Sequence, residues 1–160
     1  MFTHAITRPP APSYVDGITT ADLGRPDYAL ALEQHAAYVD ALRACGLAVT
    51  VLEPAPAFPD SCFVEDSALL TGKVAVVPRP GADSRREEAA LMEPVLAERF
   101  ATLARIEAPG TLDAGDVMMV GEVFYIGLSA RTNEAGAEQL IAILRSHGYK
   151  GIAVPMAEML

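Results

Sequence analysis

Gly115–Ile126 reads GDVMMVGEVFYI, in which two apolar runs of four residues flank a Gly-Glu pair. This pattern predicts a strand at Val117–Val120, a tight turn at Gly121 and a second strand at Val123–Ile126. Two short strands joined by so tight a turn favour an antiparallel hairpin. The stretch therefore predicts a β-hairpin as the local building unit of the fold.

A loop, a helix and a further strand follow the hairpin. Arg131 lies in the loop, and the spacing of apolar residues predicts a helix over Asn133–His147. Gly148 stands just after the helix, where a glycine commonly ends one.

The same order of elements occurs earlier in the chain. Predicted strands at Ser67–Leu70 and Lys73–Val77 flank a Thr-Gly turn, and a helix is predicted over Glu87–Phe100, which Pro94 should kink or shorten. The matched residues are Asp66 with Asp116, Gly72 with Gly121, and Arg85 with Arg131. This internal period indicates repeated ββαβ modules and not a doubly wound sheet.

The residues before the repeat predict a strand, a loop, a helix and a second strand. The corresponding segments are Phe2–Thr7, Arg8–Thr20, Pro26–Cys45 and Leu47–Leu52. A loop of the length of Arg8–Thr20 is uncommon unless it binds or covers something.

The chain is acidic and has enough apolar residues for a core. It has 160 residues, of which 51% are hydrophobic, and its 12 Lys and Arg against 21 Asp and Glu give a formal net charge of -9. That charge argues against nucleic acid or an anionic membrane as a partner. We find no signal peptide and no apolar run long enough to span a bilayer, so we expect one cytoplasmic domain over residues 1–160. Cys45 and Cys62 are expected to remain thiols.

Carboxylates stand before each predicted hairpin. Phe58–Asp66 is interpreted as a short apolar strand that brings Asp60, Glu65 and Asp66 to an enclosed place, where they need a cationic partner. Asp113 and Asp116 precede the second hairpin, so all five acids could line one cavity. The alternative is an Asx-turn at Asp60 and turn caps at Asp113 and Asp116.

Two arginines occupy matching positions at the starts of helices. A cation is slightly disfavoured there by the helix dipole, so Arg85 and Arg131 would be more stable beside an anion, and their planar fork suits a carboxylate. The alternative is an ordinary surface ion pair, for example between Arg85 and Glu88. Acids at one end and arginines at the other would suit a ligand with a cationic head and a carboxylate tail, such as arginine or lysine.

Two other kinds of site are weaker hypotheses. Cys62 lies among acids, which raise a thiol pKa and so disfavour a nucleophilic thiolate. The acids are oxygen ligands of the type that Mg²⁺ or Ca²⁺ prefers, but the EF-hand spacing is absent and the flanking residues are apolar.

Four segments resemble the dimethylarginine dimethylaminohydrolase family of the guanidino-group-modifying superfamily. They are FVED at 63–66, RPG at 79–81 with SRR at 84–86, GTLDAGDV at 110–117, and GLSARTN at 127–133. Arg8–Asp27 is also similar to the substrate-covering loop of that family. The resemblance implies a pentein-like α/β propeller of five modules and hydrolysis of Nω-methylated arginine to citrulline and a methylamine, without metal or organic cofactor.

The resemblance also implies roles for individual residues. The implied substrate-binding residues are Ile18, Asp60, Glu65, Asp66, Arg85 and Arg131. The acids would hold cationic groups of the ligand, the arginines its α-carboxylate, and the backbone at Ile18 would contact it. Asp113 would orient and charge-stabilise a catalytic His.

The family's catalytic His and nucleophilic Cys have no match among the three His and two Cys of this sequence. We therefore expect a partial propeller of roughly three modules that binds a small-molecule substrate without turning it over. A partial propeller would leave strand edges without the neighbouring strands of the missing modules, and such open edges would favour a homo-oligomer or swapped dimer. The alternatives are a non-catalytic binding protein for arginine-like ligands, or another guanidino-group hydrolase or amidinotransferase.

Overall fold

The computed structural model describes residues 2–156, and the chain divides into two units, Met1–Val64 and Glu65–Leu160. Within the described residues, no helix combines the length and the apolar character needed to cross a membrane. The interpretation of residues 1–160 as one domain stays a prediction, and the two units are described separately.

The first unit contains a pair of parallel strands joined through a helix. Strand β1 (His4–Thr7) pairs with β2 (Ala48–Val51), and helix α1 (Tyr28–Ala44) connects them. The predicted glycine stop is confirmed, because Gly46 has a φ of +84° and the next amide bonds back to the helix, in the pattern of a Schellman motif. The predicted loop includes a short 3₁₀ helix at Pro12–Asp16.

The first module of the second unit is a three-stranded sheet. Strand β3 (Leu69–Leu70) pairs antiparallel with β4 (Ala75–Val77), which pairs parallel with β5 (Leu103–Arg105). Helices α2 (Asp83–Ala90) and α3 (Met92–Ala97) form the crossover between the two parallel strands, as parallel pairing requires a long connection.

The second module has the same topology. Strand β6 (Val117–Val120) pairs antiparallel with β7 (Val123–Leu128), and β7 pairs parallel with β8 (Lys150–Pro155) after helix α4 (Glu134–Ser146). Gly121 turns the hairpin with a φ of +61°, a conformation that residues with a Cβ rarely adopt. The predicted hairpin and the predicted repeat of ββαβ modules are therefore confirmed.

One apolar cluster is shared by both modules. Alternate positions on β4 and β7 face it, as the two-residue period of a strand requires, and the inner face of α4 covers it. Its buried members are Val74, Val76, Ile106, Leu112, Phe124, Ile126, Ala137, Leu140 and Leu144. Further apolar residues of the first module outside this cluster are also buried, on β4 and on the two helices after it: Ala75, Val77, Ala89, Met92 and Leu96.

Asn133 fixes the loop that precedes the second hairpin to the start of α4. Its Oδ1 accepts hydrogen bonds from the amides of Gly136 at 2.8 Å and Thr111 at 2.9 Å, and its Nδ2 donates to the carbonyl of Pro109 at 3.0 Å. An Asn at this position caps the helix, and here it also places the Asp113 turn.

The prediction of one helix over Glu87–Phe100 is wrong. The helical segment begins earlier, at Asp83, and divides at Leu91 into α2 and α3. The expectation that Pro94 kinks or shortens the helix is confirmed, because Pro94 has no amide to donate to the carbonyl of Ala90, where α2 ends. Pro94 itself lies in the first turn of α3, where proline is tolerated.

The interpretation of Phe58–Asp66 as a strand is also wrong. The segment consists of tight turns followed by a 3₁₀ helix at Val64–Asp66. Its backbone amides bond three residues back and so do not join a sheet. The donors are Phe58, Ser61 and Phe63, with the carbonyls of Ala55, Phe58 and Asp60 as acceptors.

Candidate functional site

The carboxylates of Asp66 and Asp113 come together beside Gly115. Asp113 begins a 3₁₀ turn, and its Oδ1 accepts a hydrogen bond from the Gly115 amide at 2.9 Å. A Cβ at Gly115 would lie 2.5 Å from Oδ1 of Asp66 and 3.1 Å from Oδ1 of Asp113. Of the five acids that were expected to line one cavity, the structure brings these two together beside Gly115, and Asp113 also caps a turn, as in the alternative interpretation.

Asp113 is buried, and its environment disfavours the ionised form. Burial, followed by the nearby charge of Asp66, raises the pKa of Asp113, and the bond from Gly115 and the charge of Arg131 oppose that rise only in part. A cationic group brought to this place would relieve the repulsion between the two acids.

Asp116 accepts bonds from two hydroxyl groups. Its Oδ2 receives hydrogen bonds from the Ser129 Oγ and the Thr132 Oγ1, each at 2.7 Å. The Ser129 Oγ also accepts from the amides of Arg131 and Thr132, at 3.0 and 3.2 Å. These bonds fix the turn that carries Arg131.

Arg131 lies over the two acids of its own module. Its Nη1 is 3.3 Å from Oδ2 of Asp113, and its Nη2 is 3.3 Å from Oδ1 of Asp116. The Arg131 side chain is 57% exposed, whereas both acids are largely buried. The distances are long for charge-assisted bonds, so this arginine is held more loosely than a buried pair would be.

Arg85 is bound by two carboxylates of the first module. Its Nη1 donates to Oδ2 of Asp66 at 2.7 Å, while its Nε and Nη2 donate to the two oxygens of Glu88 at 3.1 and 2.6 Å. Glu88 Oε1 also accepts from the Ser67 Oγ at 2.7 Å. Burial alone would lower the pKa of Arg85, but the hydrogen bonds with Glu88 and Asp66 outweigh it and raise the pKa, so this guanidinium stays charged.

The site was expected to have its acids at one end and its arginines at the other, and this is wrong for the second unit. Arg85 pairs with Asp66, and Arg131 with Asp113 and Asp116. The alternative of a pair between Arg85 and Glu88 is correct in its partners, although this pair is buried and not at the surface. Four carboxylates against two guanidiniums leave the cluster with an excess of two negative charges when all groups are ionised, so it suits a cation.

Two of the predicted residues form a contact in the first unit. The amide of Ile18 donates to both carboxylate oxygens of Asp60, at 3.0 and 3.3 Å, and Asp60 is buried. A Cβ at Gly17 would be 2.8 Å from Oδ1 of Asp60, so the loop approaches this acid as closely as glycine permits. Glu65 begins the second unit and is exposed. The substrate-binding roles of these residues stay predictions.

Sequence reasoning gave no role to three hydroxyl groups of the cluster. Ser129 and Thr132 lie in the quoted GLSARTN segment, and Ser67 directly follows Asp66. The usable signal was local, because serine and threonine in loops commonly bond nearby acids and amides.

The cysteines form no disulfide, as predicted. Cys45 is exposed at the end of α1, and Cys62 is half-buried. Among residues 2–156, no set of three or more His, Cys, Asp or Glu side chains is placed to hold a metal ion.

A family model described as "N,N dimethylarginine dimethylhydrolase, eukaryotic" matches residues 26–159. The chain is 54% identical over its whole length to the N(G),N(G)-dimethylarginine dimethylaminohydrolase of Pseudomonas aeruginosa, and it spans 63% of that protein. It is 41% identical over 98% of its length to the Streptomyces coelicolor protein of the same name, of which it spans 61%.

A solved structure of the Pseudomonas aeruginosa protein shows the same fold. That structure, of a variant complexed with citrulline, superimposes on the whole chain with a TM-score of 0.97 at 53% identity, and the chain covers 63% of it. The predicted pentein-like α/β fold is thereby confirmed.

Proposed function

Because this chain belongs to the dimethylarginine dimethylaminohydrolase family, we propose that it supplies substrate-binding acids to a hydrolase of Nω-methylated arginine. The products would be citrulline and a methylamine. The chain spans less than two thirds of the length of the relatives reported above, so the proposal concerns what its own residues contribute.

The observation that carries the proposal is the excess of carboxylate around Gly115. The side chains of Asp66 and Asp113 converge there, and repulsion between them contributes to the raised pKa of Asp113. A guanidinium placed against these oxygens would donate planar, charge-assisted hydrogen bonds to them and offset that repulsion. Methylated arginine presents such a cation, whereas its product citrulline has a planar but neutral ureido group and would relieve the repulsion less.

Asp113 would have a second role. In the mechanism implied by the family, a cysteine attacks the guanidinium carbon, the methylamine leaves, and water then releases citrulline with a histidine as acid and base. Asp113 would accept a hydrogen bond from that histidine and stabilise its charged form. Asp66 would hold the guanidinium meanwhile.

Calorimetric titration of the chain with N,N-dimethylarginine tests the binding function. We expect Asp66→Asn to weaken binding by about tenfold or more, in line with the loss of one charge-assisted hydrogen bond. Asp83→Asn is the matched control, because Asp83 is an exposed acid that pairs with Arg86. Equal affinity of the wild type and Asp66→Asn would contradict the proposal.

We also propose that the 160-residue chain binds without turnover. Cys45 lies at the end of a helix, where the dipole disfavours a thiolate, and Cys62 lies two residues from Asp60. An assay for citrulline should give no product, and citrulline formed by the wild type would overturn this view. Loss of that product in Cys62→Ala would then identify Cys62 as the nucleophile. If the chain binds arginine and lysine as well as methylated arginine, the alternative of a general binding protein is favoured.

Self-association is part of the proposal. Within the described residues, β6 pairs only with β7, so its other edge is open. Its side chains Met118, Met119 and Val120 are exposed, and an open apolar strand edge favours pairing with a second copy. Light scattering should show a dimer or larger species that Met119→Lys converts towards monomer, and a wild-type monomer would contradict it.

A further inference from the structure

We propose that Glu88 is a positioning residue that holds the guanidinium of Arg85 in one orientation, with only its Nη1 edge turned towards the ligand. The inference rests on the proposed function together with the role that the family resemblance implies for Arg85, which is to hold the α-carboxylate of the substrate. Glu88 occupies two of the three nitrogens of Arg85 in a forked pair, with Nε–Oε2 and Nη2–Oε1 distances of 3.1 and 2.6 Å. Such a pair fixes the plane of the guanidinium as well as its position.

Glu88 is itself fixed. It is buried, and the Ser67 Oγ donates to its Oε1 at 2.7 Å. Arg85 and Glu88 are three residues apart on α2, so they share one helix face, and they contact the consecutive residues Asp66 and Ser67. Hydrogen bonds therefore link the side chains in the order Asp66, Arg85, Glu88 and Ser67, and the peptide bond between Asp66 and Ser67 closes the ring. Rotation of any one of these side chains would break a hydrogen bond.

The solvent exposure of the charged side chains in this ring increases from Glu88 to Arg85 to Asp66. The side chain of Glu88 is 4% exposed, that of Arg85 is 11% exposed, and that of Asp66 is 20% exposed. Nη1 donates at 2.7 Å to Asp66, which is the most exposed of these three charged side chains. A carboxylate that arrives from solvent would meet Nη1 of Arg85, provided that Glu88 keeps the other two nitrogens.

The test uses the full chain and two near-isosteric variants. Glu88→Gln removes one acceptor oxygen and the negative charge, and Glu87→Gln makes the same change at an exposed position of α2. NMR of the Arg85 guanidinium should show slow rotation about the Nε–Cζ bond in the wild type and in Glu87→Gln. Rotation should be at least about tenfold faster in Glu88→Gln, since a charge-assisted bond is lost. Unchanged rotation in a folded Glu88→Gln would overturn the proposal, and Glu88→Ala repeats the test if Glu88→Gln does not fold.

The affinity for two ligands, one with and one without a carboxylate, provides a second test. Affinity for N,N-dimethylarginine should fall about tenfold in Glu88→Gln, whereas affinity for its decarboxylated analogue should be unchanged, because that ligand has no carboxylate for Arg85 to hold. An equal loss for both ligands would indicate a merely structural role and overturn the proposal. If the wild-type chain binds neither ligand, the proposed function fails, and the NMR measurement alone decides the role of Glu88.

Discussion

The carboxylate of Asp66 occupies the space that a side chain at position 115 would need, since a Cβ on Gly115 would be 2.5 Å from Oδ1 of Asp66. Gly115→Ala must therefore displace Asp66 from its place beside Asp113. We expect the free energy of unfolding to fall by about 1–3 kcal/mol, as for other overpacked sites, and affinity for N,N-dimethylarginine to fall with it. Urea unfolding and calorimetry measure the two effects.

Gly72→Ala is the matched control for this substitution. Gly72 lies in the hairpin turn between β3 and β4 of the first module, its φ is not positive, and the nearest atom to a Cβ there would be the Tyr149 Oη at an ordinary 3.5 Å. If Gly115→Ala is as stable as Gly72→Ala and binds as the wild type does, the contact with Asp66 does not constrain position 115.

The raised pKa of Asp113 predicts a dependence of stability on pH. Its ordinary value is 3.8, and it is higher in the folded chain. Between these two values the folded state binds more protons than the unfolded state, so this group lowers the free energy of unfolding as the pH rises through that window. Asp113→Asn removes the titrating group, and Asn can still accept the bond from Gly115.

The difference in unfolding free energy, variant minus wild type, should therefore increase from below pH 3.8 towards neutral pH and then level off. Unfolding in denaturant at a series of pH values measures this curve. A difference that is flat, or that decreases with pH, would show that the pKa of Asp113 is not raised.

Removing only one member of the buried ion pair between Arg85 and Glu88 should lower the free energy of unfolding strongly. Arg85→Met leaves Glu88 buried without its cationic partner, and we expect a loss of about 3–5 kcal/mol in the free energy of unfolding. The double substitution Arg85→Met with Glu88→Leu removes both charges and should recover much of that loss. Denaturant unfolding of the single and double variants tests this, and a double variant no more stable than Arg85→Met would rule out the coupling.

The contact between Ile18 and Asp60 should appear in the exchange of one amide proton. Asp60→Asn keeps an oxygen that can accept from the Ile18 amide, whereas Asp60→Ala removes it. Exchange of the Ile18 amide should be unchanged or slightly faster in the first variant and about tenfold faster or more in the second. Similar rates in all three proteins, measured by NMR, would mean that Asp60 does not hold the loop.

The local elements of the second unit could be predicted well where apolar runs are bounded by glycine. Strand β6 was predicted to the residue, because Gly121 marks its end and its four residues are all apolar. The division of the second helix at Leu91 was signalled by Pro94, which cannot donate to the carbonyl of Ala90. The start of α2 at Asp83 was missed, because the residues before Glu87 are polar and lack helical spacing of apolar side chains.

Several charged residues of the candidate site could be predicted, but its hydroxyl groups and its pairing could not. Asp66, Asp113 and Arg131 were all identified from sequence, since acids and arginines recur at the module period. Which acid pairs with which arginine depends on the directions of side chains on two different elements. The spacing of residues along the sequence does not give those directions. The Arg85–Asp66 bond at 2.7 Å is therefore visible only in the structure.

The modular sheets have a consequence for synthesis on the ribosome. Strands β3 to β5 lie within residues 69–105, so their hydrogen bonds can all form before the second hairpin has been translated. The apolar side chains Val74 and Val76 of that sheet, however, are covered by Phe124, Ile126 and Leu140, which emerge later. The nascent first module would thus expose apolar side chains for as long as translation of the next module takes, and this favours aggregation during that interval.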